Sequence, residues 1–358
     1  MRGPVLAVTM GDPAGIGPEI VVKAARRLGT RLGSGELRLL VIGSRSAWDV
    51  AAHLCGGDAP VEVIDPEVSD LPPLGFLQAA PAREQVRFGE VSAEAGRLAY
   101  FAVERAVRLA ETGAVVGVVT APLNKEALNL AGYHYAGHTE ILAALTGSPD
   151  AVMLLVHGAM RVSHVTTHIA LQDVPARITP TRIRRVVHLT DAALRDLGIA
   201  APRIAVAALN PHAGEGGLFG HQEAEVIEPT LRGCVAEGLG VIGPVPGDTV
   251  FVRLRAGEFD AVVAMYHDQG HIPVKLMGFD VDPVTQTWRA LSGVNVTLGL
   301  PIIRTSVDHG TAFDIAGRGA AKEDSLIEAI DLALQLAVTR RSRARPVAWQ
   351  PGMTVARA

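Results

Sequence analysis

The sequence predicts an α/β protein built from layered sheets with helices on both faces, and three observations carry that prediction. Strand-like and helix-like segments alternate along most of the chain. The run Ala114 to Thr120 is apolar and rich in β-branched residues, as a strand covered on both faces must be. The chain has 358 residues, beyond the size at which one hydrophobic core stops growing, so two lobes are expected.

Each element follows from its residues. Leu6 to Met10 reads as a short buried strand, and Gly11-Asp12-Pro13-Ala14-Gly15-Ile16-Gly17 as a turn. Pro18 suits the first helical position, where its missing N–H costs nothing, and Glu19 suits the positive end of the helix dipole. Leu37 to Ile42 is a second strand closed by Gly43. Glu94 to Thr112 reads as a helix with Leu98, Phe101, Ala102 and Leu109 on its apolar side, ending at Gly113. Ala151 to Val156 and Arg161 to Thr167 look like strands. Thr179 caps a helix with Pro180 next to it, and Ile183, Val186, Val187, Leu194 and Leu197 form its buried stripe before Gly198. Arg203 to Leu209 and Asp260 to Met265 are further strands, and Lys322 to Val338 is an amphipathic helix. Thr339 to Ala358, with Arg340, Arg341, Arg343, Arg345 and Arg357, has no periodicity and reads as a solvated basic tail.

Composition narrows the function classes. Hydrophobic residues make up 48% and charged residues 20%, which excludes a disordered chain. The 33 basic against 37 acidic residues give a net charge of −4, so no basic field argues for nucleic acid. No apolar run approaches the roughly 20 residues of a membrane span, and the N-terminus lacks the apolar stretch and cleavage site of a signal peptide. Cys55 and Cys234 form no CxxC pair, and both fit buried fillers in a reducing, cytoplasmic setting.

Ligands of open α/β sheets bind beyond the carboxyl ends of the strands, and the polar residues collect at such ends. Strand 114–120 runs into Ala121-Pro122-Leu123-Asn124-Lys125, and strand 161–167 ends at His168. Strand 203–209 runs into Asn210-Pro211-His212-Ala213-Gly214-Glu215, and strand 260–265 into Tyr266-His267-Asp268-Gln269-Gly270. Three strands therefore each deliver a histidine into a following loop. Three converging imidazoles would bind a divalent transition metal and leave positions open for substrate. Among 12 histidines, such long-range spacing is no metal signature by itself. Asp268 suits a carboxylate that orients a ligating ring, or a plain surface carboxylate. The turn 11–17 resembles a phosphate loop only loosely, and tight-turn glycines without a ligand explain it equally. His138 and Thr139 follow Gly137 at a helix start, where an anion or a simple cap would fit. Asp308-His309-Gly310-Thr311-Ala312-Phe313-Asp314-Ile315-Ala316-Gly317 places a His-Gly turn before a helical start. It is similar to the HG[ST]AxDIAG loop with which isocitrate and isopropylmalate dehydrogenases hold the adenosine half of NAD(P).

Together these blocks resemble the 4-hydroxythreonine-4-phosphate dehydrogenase family. The likeness runs from Val8-Thr9-Met10-Gly11-Asp12-Pro13-Ala14-Gly15-Ile16-Gly17-Pro18-Glu19 through Thr120 to Lys125, Gly137 to Glu140, Thr166-Thr167-His168 and Asn210 to Glu215. It continues through Gly243-Pro244-Val245-Pro246-Gly247-Asp248-Thr249, Tyr266 to Gly270 and Val294 to Pro301 into the His-Gly loop, so that it covers roughly residues 5 to 335.

The resemblance implies a two-lobed fold like that of the isocitrate and isopropylmalate dehydrogenases. One lobe is expected from residues 1–135 with 305–340, the other from 136–304, and the tail from 341–358. It implies a homodimer whose interlobe active site borrows from the partner. One divalent metal, zinc, cobalt or magnesium, would be held by His168, His212 and His267, with His267 from across the interface. Substrate would be held by His138, Thr139, Lys275, Asn295 and Arg304. NAD or NADP would lie on Asp308, His309, Gly310, Thr311 and Asp314, and Lys275 or Asp248 would accept the proton. The implied reaction oxidises the C3 hydroxyl of 4-phosphohydroxy-L-threonine in pyridoxine 5′-phosphate synthesis, giving a β-keto acid that decarboxylates to 3-amino-2-oxopropyl phosphate. The alternatives are a 4-phospho-D-threonate or 4-phospho-D-erythronate dehydrogenase and, from another class, a metal-dependent hydrolase. One departure stands out. Residues 280–292 enlarge a loop that shorter family members keep to a few residues, and they bring Trp288 and Arg289.

Overall fold

The computed structural model describes residues 3–64, 66, 70–284 and 288–344. Its strands are β1 Val5–Thr9, β2 Arg38–Gly43, β3 Val61–Glu62, β4 Leu74–Gln78, β5 Gly117–Thr120, β6 Val152–His157 and β7 Met160–His164. They continue with β8 Ile204–Ala207, β9 Val241–Val245, β10 Ala261–Ala264, β11 Phe279–Val281, β12 Trp288–Leu291, β13 Val294–Leu298 and β14 Arg304–Val307. Twelve of them form one sheet in the order β3-β4-β2-β1-β5-β14-β13-β6-β7-β10-β8-β9. From β3 to β14 all neighbours are parallel, as they are from β7 to β9. Between these halves β14–β13, β13–β6 and β6–β7 are antiparallel, so the two parallel halves run in opposite directions. The expected α/β layering is therefore present as helices on both faces of one continuous mixed sheet.

Local chemistry explains the turns. β6 and β7 form a hairpin over Gly158 and Ala159, and Gly158 supplies the positive φ of 55° that a two-residue connection needs. Helix Ala93–Glu111 is capped by the Ser92 hydroxyl, which accepts from the Ala95 N–H at 3.2 Å. Helix Pro180–Asp196 is capped by Thr179 as expected, and Ile183, Val186, Val187 and Leu194 are its buried stripe. The enlarged loop folds back as the antiparallel pair β11–β12. The side chains of Trp288 and Arg289 lie outside the described residues.

The last helix differs from expectation. It spans Asp324–Ala344 and absorbs the first residues of the predicted tail. Leu326, Ala329, Ile330, Ala333, Leu336 and Ala337 are buried along it. Arg340 then ties its final turns to Asp196 at 2.7 Å, so the helix has a partner where the sequence shows no periodicity. Residues 345–358 of that expected tail lie outside the described residues. Among the described residues no helix is long and apolar enough to cross a membrane.

Two histidines are core residues. His164 at the end of β7 is fully buried, and His271, on helix His267–Gly278, packs 4.7 Å from it, ring centre to ring centre. A Cβ at Gly270 would come within 2.3 Å of His164 Nε2, so only glycine lets this helix lie so close to β7. Burial pushes the His164 ring down to about 3 and the His271 ring to about 4. Both stay neutral in the folded protein below pH 6.5, where the unfolded chain would protonate them. Stability is therefore lost as pH falls through the ordinary histidine range, by up to about 1.4 kcal/mol per pH unit for His164. Asp12, raised to about 6 by burial, acts with the opposite sign and offsets part of this. The urea midpoint is expected to be lower at pH 5 than at pH 7, and His271→Gln should narrow the gap. Equal midpoints at the two pH values would contradict the argument.

Candidate active-site cleft

Arg304 opens β14 beside Val118 of β5, and this places its side chain beneath a cleft of about 240 Å³. The guanidinium is 2% exposed. Nη1 donates to the Thr297 hydroxyl at 2.9 Å and Nη2 to the Thr120 hydroxyl at 2.7 Å, while buried Nε has no partner. Burial pulls this cation down to about 9, against the pull of the Glu140 carboxylate. His138 at the start of helix His138–Leu145, Thr139, and Asn295 on β13 line the same cleft. His138 Nε2 and Asn295 Oδ1 are also buried without partners. Burial, reinforced by Arg304, holds His138 well below its ordinary value, so it is a neutral ring. A buried cation hydrogen-bonded only to neutral hydroxyls and with a free N–H, beside two more unsatisfied polar atoms, is a cradle for an anion.

His309 and Gly310 reach this cleft from the segment after β14. The helical start expected there is absent. Residues 311–317 form turns closed by Ile315 N–H to Ala312 O at 3.1 Å and Ala316 N–H to Phe313 O at 3.4 Å. Thr311 packs on the turn 11–17, and Asp314 is exposed. Asp308 does not face the anion cradle. Its Oδ2 pairs with Lys275 Nζ at 3.0 Å, and that ammonium also lies 4.6 Å from the Phe279 ring centre. The expected substrate residue Lys275 thus meets an expected cofactor residue and does not line the cleft with Arg304. Thr120, Lys125 and Glu140 do line it, although the sequence assigned them no role. The position of Lys125, just past the Asn124 cap beyond the carboxyl end of β5, was the available signal.

His168 belongs to this cleft and to a second one with Tyr266, His267 and Asp268. Strands β7 and β10 are parallel neighbours, so the loops that leave them run side by side and bring the His168 and His267 ring centres to 5.6 Å within one chain. The resemblance implies a His267 from across the interface; within one chain this ring already stands beside His168. His267 Nδ1 is engaged by Asp268 Oδ1 at 2.7 Å, which leaves Nε2 for another bond. Its ring stacks on His271 at 3.6 Å. Burial, reinforced by Lys125, lowers the His168 pKa and favours the neutral ring that a metal needs.

His212 lies apart, in a third cavity with Asn210, Asp248 and Gln269 that shares Tyr266 and Asp268 with the second. It sits in a left-handed turn in which φ is 52° at His212, 55° at Ala213 and 44° at Glu215. Such angles are costly for residues with a Cβ. The buried Glu223 carboxylate holds the entrance of that turn by accepting from the Leu209 N–H at 2.9 Å and the Asn210 N–H at 2.8 Å. Two imidazoles bound tetrahedrally to one cation at about 2 Å put their ring centres roughly 5 Å apart, so His168 and His267 suit a shared metal. Among the described residues of one chain, however, no group of three metal-binding side chains gathers. The predicted three-histidine centre is thus incomplete in a single copy: although β8 and β10 are parallel neighbours, the left-handed turn after β8 carries His212 into the third cavity.

Comparison with known proteins gives the family. Residues 36–333 match the family described as pyridoxal phosphate biosynthetic protein PdxA. A Bradyrhizobium diazoefficiens protein, named provisionally as a D-threonate 4-phosphate dehydrogenase, is 64% identical over 93% of this chain and 96% of its own. The D-threonate 4-phosphate dehydrogenase of Cupriavidus necator is 46% identical over 94% of this chain and 98% of its own. The crystal structure of 4-hydroxythreonine-4-phosphate dehydrogenase from Klebsiella pneumoniae superposes with a TM-score of 0.79 at 44% identity, covering 94% and 98% of the two chains. A match over most of the chain, with fold and relatives in agreement, makes this oxidoreductase a member of the pyridoxal phosphate biosynthetic protein PdxA family.

Proposed function

We propose that the cleft oxidises the C3 hydroxyl of a four-carbon acid phosphorylated at C4, with D-threonate 4-phosphate as the substrate. The observation that carries the reading is Arg304, a buried guanidinium lacking a carboxylate partner and bonded to two hydroxyls. A phosphate or carboxylate would complete its donors with charge-assisted bonds, and the Asn295 amide and the neutral His138 ring stand beside it. The names of the 64% and 46% identical relatives favour the threonate. A second reading, 4-phosphohydroxy-L-threonine, has Glu140 in its favour, because that carboxylate lines the cleft and would accept from an α-ammonium.

The segment Asp308 to Gly317 is proposed to hold NAD or NADP, with His309 and Gly310 at the cleft and the exposed Asp314 carboxylate free to accept from ribose hydroxyls. NAD bound there supplies the acceptor for the hydride from C3. The hydroxyl proton would pass, directly or through water, to the Asp248 carboxylate of the third cavity, since Lys275 is held as an ammonium by Asp308 and has no lone pair to accept it. His168 and His267 would hold a divalent cation, zinc, cobalt or magnesium, with the third imidazole from a second copy of the chain. When bound, the cation supplies positive charge that lowers the pKa of the substrate hydroxyl. The product ketone lies β to the carboxylate, which makes loss of carbon dioxide chemically accessible.

Mixing the protein, NAD and a divalent metal with each substrate in turn should give NADH, with kcat/KM about tenfold higher for D-threonate 4-phosphate. The reverse order would move the assignment to the amino acid, and no reduced nucleotide with either substrate, from NAD or from NADP, would reject the reading. Arg304→Ala should raise KM for the phosphorylated substrate by about 100-fold while KM for NAD stays within about twofold. An equal rise in both would remove the anion-clamp role.

The shared metal site makes a separate prediction. His168→Ala and His212→Ala should each be inactive, yet co-refolded mixtures should regain about a quarter of wild-type turnover, since half the dimers carry one intact site. No recovery on mixing would show that His168 and His212 belong to the same copy.

A further inference from the structure

The turn 11–17 and the helix Gly17–Arg27 take no part in the chemistry above, yet they grip the segment 309–321 at five backbone groups. The Ile16 N–H donates to Thr311 O at 3.0 Å. Glu19 Oε1 accepts from the Gly317 N–H at 2.6 Å and the Arg318 N–H at 3.2 Å. Lys23 Nζ donates to Gly319 O at 2.7 Å and to Ala321 O at 2.5 Å. Gly15 permits this closeness, since a Cβ there would lie 2.9 Å from the Thr311 Cβ and carbonyl oxygen. The segment has no strand or helix of its own. Glu19 is fully buried, with Oε2 unpartnered, so a carboxylate has been taken out of water to bind two amides of this segment. Burying a charge is costly unless its bonds repay the desolvation, and here those bonds are made to the segment that ends at the cleft.

We propose that Glu19, assisted by Lys23, is a positioning residue for nucleotide binding: its carboxylate fixes the turn at Gly317 and Arg318 and so presents the 308–317 segment preformed to NAD. The motif Gly11 to Glu19 is thus no phosphate loop; it is the anvil on which a second loop is shaped. Preforming a binding loop removes its ordering cost from the binding step, and the benefit falls on the ligand of that loop alone. The proposal rests on the reading of 308–317 as the nucleotide segment.

Two measurements on the full chain test it. Amide hydrogen exchange without nucleotide reads the anchor directly, and paired KM values read its consequence. Glu19→Ala is expected to speed exchange across 311–321 about tenfold while helix 93–111 keeps its protection, and to raise KM for NAD about tenfold with KM for the phosphorylated substrate within about twofold. Glu19→Gln, whose amide oxygen still accepts both N–H groups, should restore most of each effect. Lys23→Met should act in the same direction and serves if Glu19→Ala does not fold. Unchanged exchange in these variants overturns the anchor, and KM values that rise together overturn the positioning role in favour of a general structural one. A wild-type protein that takes up no NAD in a direct titration rejects the nucleotide reading itself. Wild-type binding with unaffected variants rejects this proposal alone.

Discussion

A guanidinium buried without a hydrogen-bonded carboxylate is the constraint on which the site depends. Arg304 is 2% exposed and bonded only to the Thr297 and Thr120 hydroxyls. Arg304 on β14 and its partners on the flanking β13 and β5 sit at the place where the sheet changes from parallel to antiparallel. The fold thus spends its central seam on holding a cation that its own residues do not neutralise. Such an arrangement is poor as a stability device, because desolvation of the charge is only partly repaid. It makes sense as a socket for an anion that arrives from outside.

The rest of the site is arranged along one line. His168 joins the anion cradle to the second cavity, and Tyr266 and Asp268 join the second to the third. The three predicted histidines lie on this line, but neighbouring strands bring only two of them together. Strand order alone does not decide the matter, since β10 neighbours both β7 and β8; the left-handed turn after β8 takes His212 away. A site that one copy leaves one ligand short ties the proposed chemistry to assembly.

Much of the fold was legible in the sequence because periodicity and capping are local. The Thr179 cap with Pro180, the buried run ending at Thr120 and the glycine stop at Gly113 all appear where the residues place them. Strand order was not legible: β6 and β7 read as two separate strands, and nothing in a period of two says which neighbour runs antiparallel. The site was legible mainly through resemblance, which led to His138, Asn295 and Arg304 in one cleft. It did not show that Lys275 would be engaged by Asp308, because that pairing depends on how the end of helix His267–Gly278 meets the end of β14. Nor did it show that 311–317 would lack a helix, since the bonds that would build one go to Ile16 and Glu19 instead.

The position of β14 carries a consequence for how the chain is made. This strand, which comes late in the sequence, lies between β5 and β13 in the middle of the sheet. During synthesis from the N-terminus, β1 to β5 can pair early, but β5 then presents a bare edge until residues 304–307 leave the ribosome. An unpaired, mostly apolar edge invites pairing with other nascent chains. Translation speed through the intervening stretch, and the chaperones that meet it, therefore bear on the yield of this protein more than on that of one whose central strands are made first.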